Sequence, residues 1–187
     1  MKKQLFAAVI GAALAFPLFA QAQGAYIGAN IGRSEMKLSI DQEGSTKKSN
    51  TGYKAYAGYD FTQNFGAEAG YVDFGKVDRT IDGTKLEAKN HAFYVAATGT
   101  LPLNEQFSLF AKAGVAQNRT KITISELNFR ESDSKNKTSA IFGIGAAYNI
   151  NKNLSAVAEY ENFGKVASEG GDKLKADLLS IGLRYKF

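Results

Sequence analysis

The sequence predicts an all-β fold, an eight-stranded antiparallel up-and-down transmembrane β-barrel. Segments alternate strictly between apolar and polar residues, which is the period of a β-strand with two different faces. Short polar breaks and longer polar stretches then follow one another in turn along the chain. After the N-terminal segment, no apolar run reaches the roughly 18 residues of a spanning helix. A chain of this kind can cross a membrane only as a closed barrel, because lipid cannot satisfy open sheet edges.

The N-terminus has the pattern of a secretory signal. Lys2 and Lys3 precede an uncharged apolar stretch over residues 5–19, and Ala20-Gln21-Ala22 is a small-residue cleavage site. A membrane anchor helix is the alternative, but the stretch is shorter than the roughly 20 apolar residues that spanning requires. We therefore expect a cleaved signal peptide over residues 1–22 and one barrel domain over residues 23–187.

Composition narrows the possible functions. The 187 residues include no cysteine, which excludes disulfides and thiolate metal sites. The net charge of +5 falls to +3 without Lys2 and Lys3, too little to suggest nucleic-acid binding. The polar stretches also lack the acidic spacing of an EF-hand. We expect no cofactor, no metal site and no nucleic-acid partner.

The breaks between segments set the number of strands. Short turns are predicted at residues 62–64, 102–105 and 151–153, and longer loops at 34–50, 75–87, 120–137 and 165–175. Three turns and four loops connect eight strands, and both chain ends then lie on the short-turn side. In the third loop, Ile122, Ile124, Leu127 and Phe129 alternate with polar residues, so this loop is predicted to extend as a β-ribbon. Residues 71–77 recur in similar form as 160–166, which suggests repeated hairpin units.

Charge is sorted by strand face. A charge on the lipid face near the midplane costs roughly 2–4 kcal/mol, and isolated charges in a confined interior are also costly. We therefore expect the charged face to line the lumen as a salt-bridge network that plugs it. Phe74 and Phe163 should narrow the lumen near its outer rim. A gated or weakly conducting channel is the alternative. The predicted network comprises Lys54, Glu68, Lys112, Glu159, Glu161, Arg184 and Lys186.

The opposite face is apolar, with aromatic residues beside the short turns. This arrangement predicts an interfacial girdle of Tyr59, Phe61, Phe65, Phe107 and Tyr148. A soluble lipocalin-like barrel would instead turn the apolar face inward. Eight strands leave interior room only for side chains or one small ligand. The charged face is rich in small residues and the other in bulky aromatics, which favours the membrane orientation.

Several segments together resemble a known family. Residues 58–71, 107–114, 142–160 and 179–187, the last reading Leu-Ser-Ile-Gly-Leu-Arg-Tyr-Lys-Phe, are similar in order and spacing to the OmpA-type transmembrane domain and its small eight-stranded relatives. The resemblance implies insertion into the outer membrane of a Gram-negative bacterium, in contact with its lipid and lipopolysaccharide. It also implies periplasmic chaperones and the barrel-assembly machinery as partners, with Leu183, Tyr185 and Phe187 as the assembly signal.

The resemblance extends to interior charges, with differences. Glu68, Lys112 and Glu159 match an interior acid, base and acid of the family. The position of its gating lysine corresponds to Thr98, and Asn30 replaces an interior lysine on the first strand, so OmpA-like gating is not expected. The chain ends at Phe187 without a peptidoglycan-binding domain, so a cell-wall tether is not expected either.

Enzymatic activity is not expected. Some eight-stranded outer-membrane barrels are lipid A deacylases or palmitoyl transferases with a catalytic histidine. His91 is the only histidine here, and Phe93 stands where the deacylase pattern has serine. One histidine and no cysteine give no nucleophile–base pair.

The function expected from the sequence is therefore an integral outer-membrane protein with a structural or surface role and long loops outside. One alternative is a narrow porin-like channel for small solutes or ions. A second is an adhesin, or a host-interaction surface protein, that binds host or surface ligands through its loops. Cations of the third loop could meet lipopolysaccharide phosphates; they are Arg119, Lys121, Arg130, Lys135 and Lys137.

Overall fold

Eight antiparallel strands form a closed barrel in the computed structural model, which describes residues 24–40, 44–81, 84–126, 129–169 and 172–187. Each strand pairs with the next along the chain, and the first pairs with the last. The predicted fold class is confirmed. The predicted signal peptide lies outside the described residues. The strands are β1 (Ala25–Ile40), β2 (Gly44–Asp60), β3 (Phe65–Ile81), β4 (Thr84–Pro102), β5 (Phe107–Glu126), β6 (Phe129–Asn149), β7 (Leu154–Glu169) and β8 (Asp172–Lys186).

The three short turns lie where the sequence predicts them, and each is closed by a side-chain oxygen. Thr62 Oγ1 accepts hydrogen bonds from the backbone N–H groups of residues 64 and 65, at 3.2 and 3.0 Å. Asn104 Oδ1 and Asn151 Oδ1 each accept two in the same pattern, at 2.8–2.9 Å. Such bonds occupy backbone donors that a tight turn leaves unpaired. The turns therefore fix the hairpins at this end of the barrel.

The opposite end differs from the prediction in three of its four connections. The described residues of the stretches 34–50, 75–87 and 165–175 continue the strands, with pairing up to Ile40–Gly44, Ile81–Thr84 and Glu169–Asp172. The fourth, between β5 and β6, pairs up to Glu126–Phe129, which confirms the predicted ribbon. Backbone pairing does not require apolar side chains, so it continues where polar and turn-forming residues interrupt the apolar alternation that signals a strand.

The two faces of the sheet are sorted as the sequence predicts. Large apolar side chains point outward and are exposed, for example Phe65 at 68% and Ile181 at 66%. Inward side chains of the same strands are buried, and they include Glu68 at 2%. Charges inside and hydrocarbon outside are the reverse of a water-soluble barrel, which excludes the lipocalin-like alternative.

None of the described residues forms a helix long and apolar enough to cross a membrane.

Two β-bulges explain the internal sequence repeat. The β3–β4 register shifts between Asp73 and Lys76, and the β7–β8 register shifts between Asn162 and Lys165. The glycine at each bulge has a positive φ, 82° at position 75 and 63° at position 164. Residues with a Cβ rarely adopt this conformation. The side-chain oxygen two residues earlier accepts the glycine N–H, at 2.8 Å in β3 and 3.0 Å in β7.

Candidate functional site: the barrel interior

Five charged side chains meet in the middle of the barrel and form what we call the ion cluster. Their side chains are fully buried, and they come from four strands, β2, β3, β5 and β7. All five were predicted to line the lumen, and period-two alternation turns each of them inward. The ion cluster consists of Lys54, Glu68, Lys112, Glu159 and Glu161.

Lys112 holds the ion cluster together. Its Nζ lies 2.7 Å from Glu68 Oε1, 2.9 Å from Glu159 Oε2 and 3.0 Å from Glu161 Oε1. A lysine ammonium has three donors, and here a separate carboxylate lies near for each of them. Lys112 thereby links β5 to β3 and β7 across the lumen.

Lys54 contacts the same two β7 carboxylates from the other side. It forms ion pairs with Glu159 Oε1 and, at 3.1 Å, with Glu161 Oε2. Asn30 Nδ2 also donates to Glu159 Oε1 at 2.9 Å and to Ser180 Oγ at 3.2 Å. Asn30, which the resemblance aligns with an interior lysine of the family, is therefore joined to the ion cluster by a hydrogen bond to Glu159.

Two tyrosines complete the surroundings of Glu68. Tyr94 Oη donates to Glu68 Oε1 at 2.6 Å, and Tyr26 Oη donates to Oε2 at 3.2 Å. The ring of Tyr56 lies 4.5 Å from Lys54 Nζ and 5.8 Å from Lys112 Nζ. The ammonium groups of Lys54 and Lys112 therefore lie near both carboxylates and an aromatic ring. These contacts reduce the free-energy cost of burying the two charges.

Arg184 and Lys186 differ from the other predicted network members. The Arg184 guanidinium lies at the short-turn edge of the ion cluster, with Nη2 3.7 Å from Glu68 Oε2. Lys186 does not reach the ion cluster, because it lies near the end of its strand. It forms an exposed pair with Asp60 at 2.8 Å instead.

An apolar layer fills the lumen on the long-hairpin side of the ion cluster. The Phe74 and Phe163 side chains are both fully buried and meet edge to face, with ring centroids 4.9 Å apart. Ser34 Oγ donates to the Phe74 carbonyl at 2.7 Å, and Ser139 Oγ donates to the Phe163 carbonyl at 2.6 Å. Period-two alternation turns both rings into the barrel, and these hydrogen bonds anchor the backbone of each phenylalanine. Around them lie Met36, Val72, Ala92, Ala116, Ile141, Ala176 and Leu178.

The outside of the barrel carries the remaining predicted sites. The five girdle residues are exposed and lie near the short turns, and Phe107 and Tyr148 pack together with centroids 4.9 Å apart. In the predicted assembly signal, the centroids of the Tyr185 and Phe187 rings are 5.3 Å apart, and Leu183 is exposed. The Phe187 N–H donates to the Ala25 carbonyl at 3.0 Å, so the last residue is paired with β1.

Basic residues lie around the long-hairpin end. Lys76 opposes Lys89 across β3–β4, and His91 opposes Arg119 across β4–β5. The ring of His91 lies 5.8 Å from that of Tyr71, at the boundary of the apolar belt. Among the predicted loop cations, Arg119 is exposed and Lys137 half-buried, while the side chains of Lys121, Arg130 and Lys135 lie outside the described part of the chain.

Sequence reasoning missed the polar partners of the ion cluster. Tyr26, Asn30, Tyr56 and Tyr94 share the inward alternation of the charged residues, but no hydrogen bond to the ion cluster was predicted for them. Buried charges require hydrogen-bond partners. An uncharged polar residue on the strand next to an inward charge could therefore have been identified as such a partner. Within the described residues, no group of three or more His, Cys, Asp or Glu side chains is placed to hold a metal ion.

Comparison with known proteins agrees with this geometry. The family model of the OmpA-like transmembrane domain matches residues 20–187. Outer membrane protein P5 of Haemophilus influenzae is 31% identical over 86% of this chain, which spans about half (52%) of that relative. The crystal structure of Neisserial surface protein A has a TM-score of 0.62 at 21% identity and covers 88% of this chain and 97% of its own.

A third similar structure is Ail, the attachment invasion locus protein of Yersinia pestis, in complex with the heparin analogue sucrose octasulfate. Its TM-score is 0.59 at 20% identity, with 87% of this chain and 99% of that chain covered. These likenesses show the same barrel fold. The family match and the apolar outer face together identify an integral protein of the Gram-negative outer membrane, and this chain belongs to the OmpA-like transmembrane domain family.

Proposed function

We propose that the protein is a closed structural barrel of the outer membrane that carries a recognition surface on its extracellular hairpins. Outer-membrane barrels have short periplasmic turns and longer extracellular connections. The turns at residues 61–64, 103–106 and 150–153 therefore face the periplasm. The main support for this proposal is that the lumen is closed twice. The ion cluster closes it on the short-turn side, and the apolar layer closes it on the long-hairpin side.

The ion cluster is suited to filling space. Its two lysines and three glutamates leave one negative charge, which Arg184 offsets from the periplasmic side. A conducting lumen needs a continuous file of water, whereas these side chains are bonded to one another at about 3 Å. The packed phenylalanine rings and their apolar neighbours then add a second barrier on the long-hairpin side.

Single-channel recording in planar bilayers tests the closure. We expect no steady current from the wild type. We also expect none from Lys112→Ala/Glu159→Ala, because Phe74 and Phe163 still close the outer half. Current should appear only when Phe74→Ala and Phe163→Ala are added. Current from the wild type would make the protein a narrow channel and would refute the proposal. Current from the ion-cluster variant alone would refute the role of the apolar layer.

A second function, recognition of anionic glycans, is favoured by the cations at the extracellular boundary. Lys76, Lys89 and Arg119 are exposed on three adjacent strands, directly above the paired rings of Tyr71 and Phe93. Those rings mark the edge of the hydrocarbon, so the cations lie at the depth of lipid headgroups. Lipopolysaccharide phosphates are the anions available there. The sulfated sugar bound to Ail makes a host glycan the other candidate ligand.

Binding measurements separate these two ligands. Lys89→Gln/Arg119→Gln should weaken binding of lipopolysaccharide and reduce its salt dependence. Arg33→Gln/Lys175→Gln is the matched control, since it removes two exposed cations from the other side of the barrel. Loss of heparin binding with unchanged lipopolysaccharide binding would assign the surface to a host glycan. If both double variants lost the same binding affinity, the binding would depend on total charge and not on a local site.

We also propose that the protein has no catalytic activity. His91 packs beside Tyr71 at the lipid boundary and opposes Asp73 across β3–β4, while Phe93 follows on the same face. This surrounding supports an interfacial role for the imidazole. Release of an acyl chain from purified lipid A by the wild type, and not by His91→Ala, would contradict this proposal.

For biogenesis, we propose that Leu183, Tyr185 and Phe187 form the signal read by the barrel-assembly machinery after delivery by periplasmic chaperones. The three residues lie on the outer face of the closing strand, which supports recognition before closure. The five girdle aromatics are proposed to fix the depth of the barrel at the periplasmic interface.

A further inference from the structure

A vestibule of about 640 Å³ opens at the short-turn end of the barrel, below the ion cluster. It lies between the three short turns and is lined mainly by polar side chains, among them Ser108, Asn149 and Ser155. Arg184 lies at its inner end, next to Glu68 of the ion cluster. The vestibule therefore brings periplasmic solutes to a partly buried guanidinium.

Aromatic faces hold the guanidinium of Arg184. Its Cζ lies 4.6 Å from the ring centroid of Tyr26, 5.0 Å from that of Phe110 and 5.6 Å from that of Tyr56. Cation–π contacts compensate the positive charge, and the Tyr56 hydroxyl also interacts with the guanidinium. An aromatic face does not replace a carboxylate as the acceptor of the five N–H groups.

The hydrogen-bond donors of Arg184 are consequently under-used. Nε is buried and has no hydrogen-bond partner. Nη2 lies 3.7 Å from Glu68 Oε2, which is beyond hydrogen-bond length. Glu68 itself already accepts hydrogen bonds from Lys112, Tyr94 and Tyr26. A guanidinium has five donors and pairs best with planar or tetrahedral oxyanions.

We propose that the periplasmic vestibule is a binding site for a small oxyanion, a carboxylate or phosphate group, which pairs with Arg184. The vestibule is lined by three cations, Lys152, Arg184 and Lys186, and two carboxylates, Asp60 and Glu105. Lys186 is paired with Asp60 at 2.8 Å, and Lys152 is exposed on a short turn at the mouth of the vestibule, so Arg184 is the cation best placed to hold a ligand inside it. Ser108 lines the same space and supplies a hydroxyl donor, whereas the Ser155 hydroxyl already donates to Asn149 Oδ1 at 2.8 Å.

Glu68 competes for the same guanidinium. The ion cluster has one more carboxylate than lysine, so part of the charge of Arg184 serves Glu68. Binding in the wild type is therefore weak, and it strengthens when that carboxylate is neutralised. A change of Arg184 should therefore lower the affinity for the oxyanion, whereas neutralisation of Glu68 should raise it. These opposite effects distinguish a ligand site from an arginine with a purely structural role.

The experiment is an NMR titration of the folded, ¹⁵N-labelled protein in nanodiscs with inorganic phosphate and with acetate, against chloride at equal ionic strength. We expect a saturable shift of the Arg184 side-chain N–H and of the amides of its cross-strand neighbours Gly28 and Ser155. Arg33, exposed on the extracellular half of β1, serves as an internal control. A response to phosphate alone or to acetate alone identifies which oxyanion the vestibule accepts.

Two variants complete the test. Arg184→Lys keeps the charge but loses the planar guanidinium and, with it, one charge-assisted hydrogen bond to the oxyanion. The apparent affinity for the oxyanion, measured from the shift of the Ser155 amide, should therefore fall about tenfold. Glu68→Gln should raise the affinity several-fold, and both variants must show the gel mobility of a folded barrel. Shifts that do not saturate, that chloride reproduces, or that Glu68→Gln leaves unchanged would overturn the proposal.

Discussion

Replacement of Lys112 with methionine should cost more stability than any other single change in the lumen. The substitution keeps the length of the side chain but removes the cation that lies within 3.0 Å of three buried carboxylates. Lys54 and the more distant Arg184 then face Glu68, Glu159 and Glu161. Removal of one partner from a buried ion pair costs about 3–5 kcal/mol. The loss is a large part of a typical folding free energy of about 5–15 kcal/mol.

A double-mutant cycle with Glu159→Gln isolates the electrostatic part. In Lys112→Met/Glu159→Gln, two cations again face two carboxylates, so the double variant should be more stable than the sum of the single changes predicts. We expect a coupling free energy of about 1–3 kcal/mol. The measurement is urea-induced unfolding in phospholipid vesicles, followed by circular dichroism and gel mobility.

Additive single effects, within about 0.5 kcal/mol, would refute the reasoning. They would mean that each side chain contributes only its own packing and that the ion cluster is not an energetic unit. The same conclusion would follow if Lys112→Met lowered the free energy of unfolding by less than about 1 kcal/mol, the effect of an ordinary substitution.

Three further predictions concern the backbone and the chain end. Gly75→Ala should lower the free energy of unfolding by about 1–2 kcal/mol, because φ at this residue is positive. Gly99→Ala is the control: no atom lies within 4 Å of the added Cβ, so the free energy of unfolding should change by less than about 0.5 kcal/mol. Asn151→Ala removes the acceptor of two backbone N–H groups, so urea unfolding should show a loss of about 1 kcal/mol, and an unchanged midpoint would contradict the role of the turn. Phe187→Ala should reduce the amount of protein in the outer membrane of cells while leaving the urea midpoint of refolded protein nearly unchanged. Equal effects in cells and in vitro would argue against a targeting role.

The central part of the barrel could be predicted from the sequence because alternation determines which face each residue occupies. Eight strands enclose a lumen only a few side chains wide. Any inward charge near the middle therefore meets the others, and Lys54, Glu68 and Lys112 are brought together as expected. The exposure of Phe65 and Ile181 follows from the same alternation.

The pairing inside the lumen was not predictable, because it depends on the stagger of the strands. Lys54 on β2 forms its ion pairs with Glu159 and Glu161 of β7, not with Glu68 of the adjacent strand. Period-two patterns give the face of a residue but not its height relative to a strand across the barrel. Alternation likewise did not give the height of Lys186. Its position faces inward but lies at the rim of the barrel, where Asp60 is its partner.

The length of the extracellular hairpins was hidden for a different reason. Polar and turn-forming residues are frequent in these stretches, so the sequence signals a loop. The backbone nevertheless stays paired up to Ile81–Thr84 in one hairpin and Glu169–Asp172 in another. The first connection also has apolar residues at alternate positions, Met36, Leu38 and Ile40, but only the third was predicted as a ribbon.

The paired bulges lie on opposite sides of the barrel. β3 and β7 are four strands apart in a ring of eight, so they face each other across the lumen. Period-two alternation already turns Phe74 and Phe163 inward, and the two rings meet with their centroids 4.9 Å apart. The regular register of each strand pair shifts directly after its last outward residue before the phenylalanine, Asp73 in β3 and Asn162 in β7. The repeated sequence around Gly75 and Gly164 is thus explained by two opposite strands that solve the same packing problem.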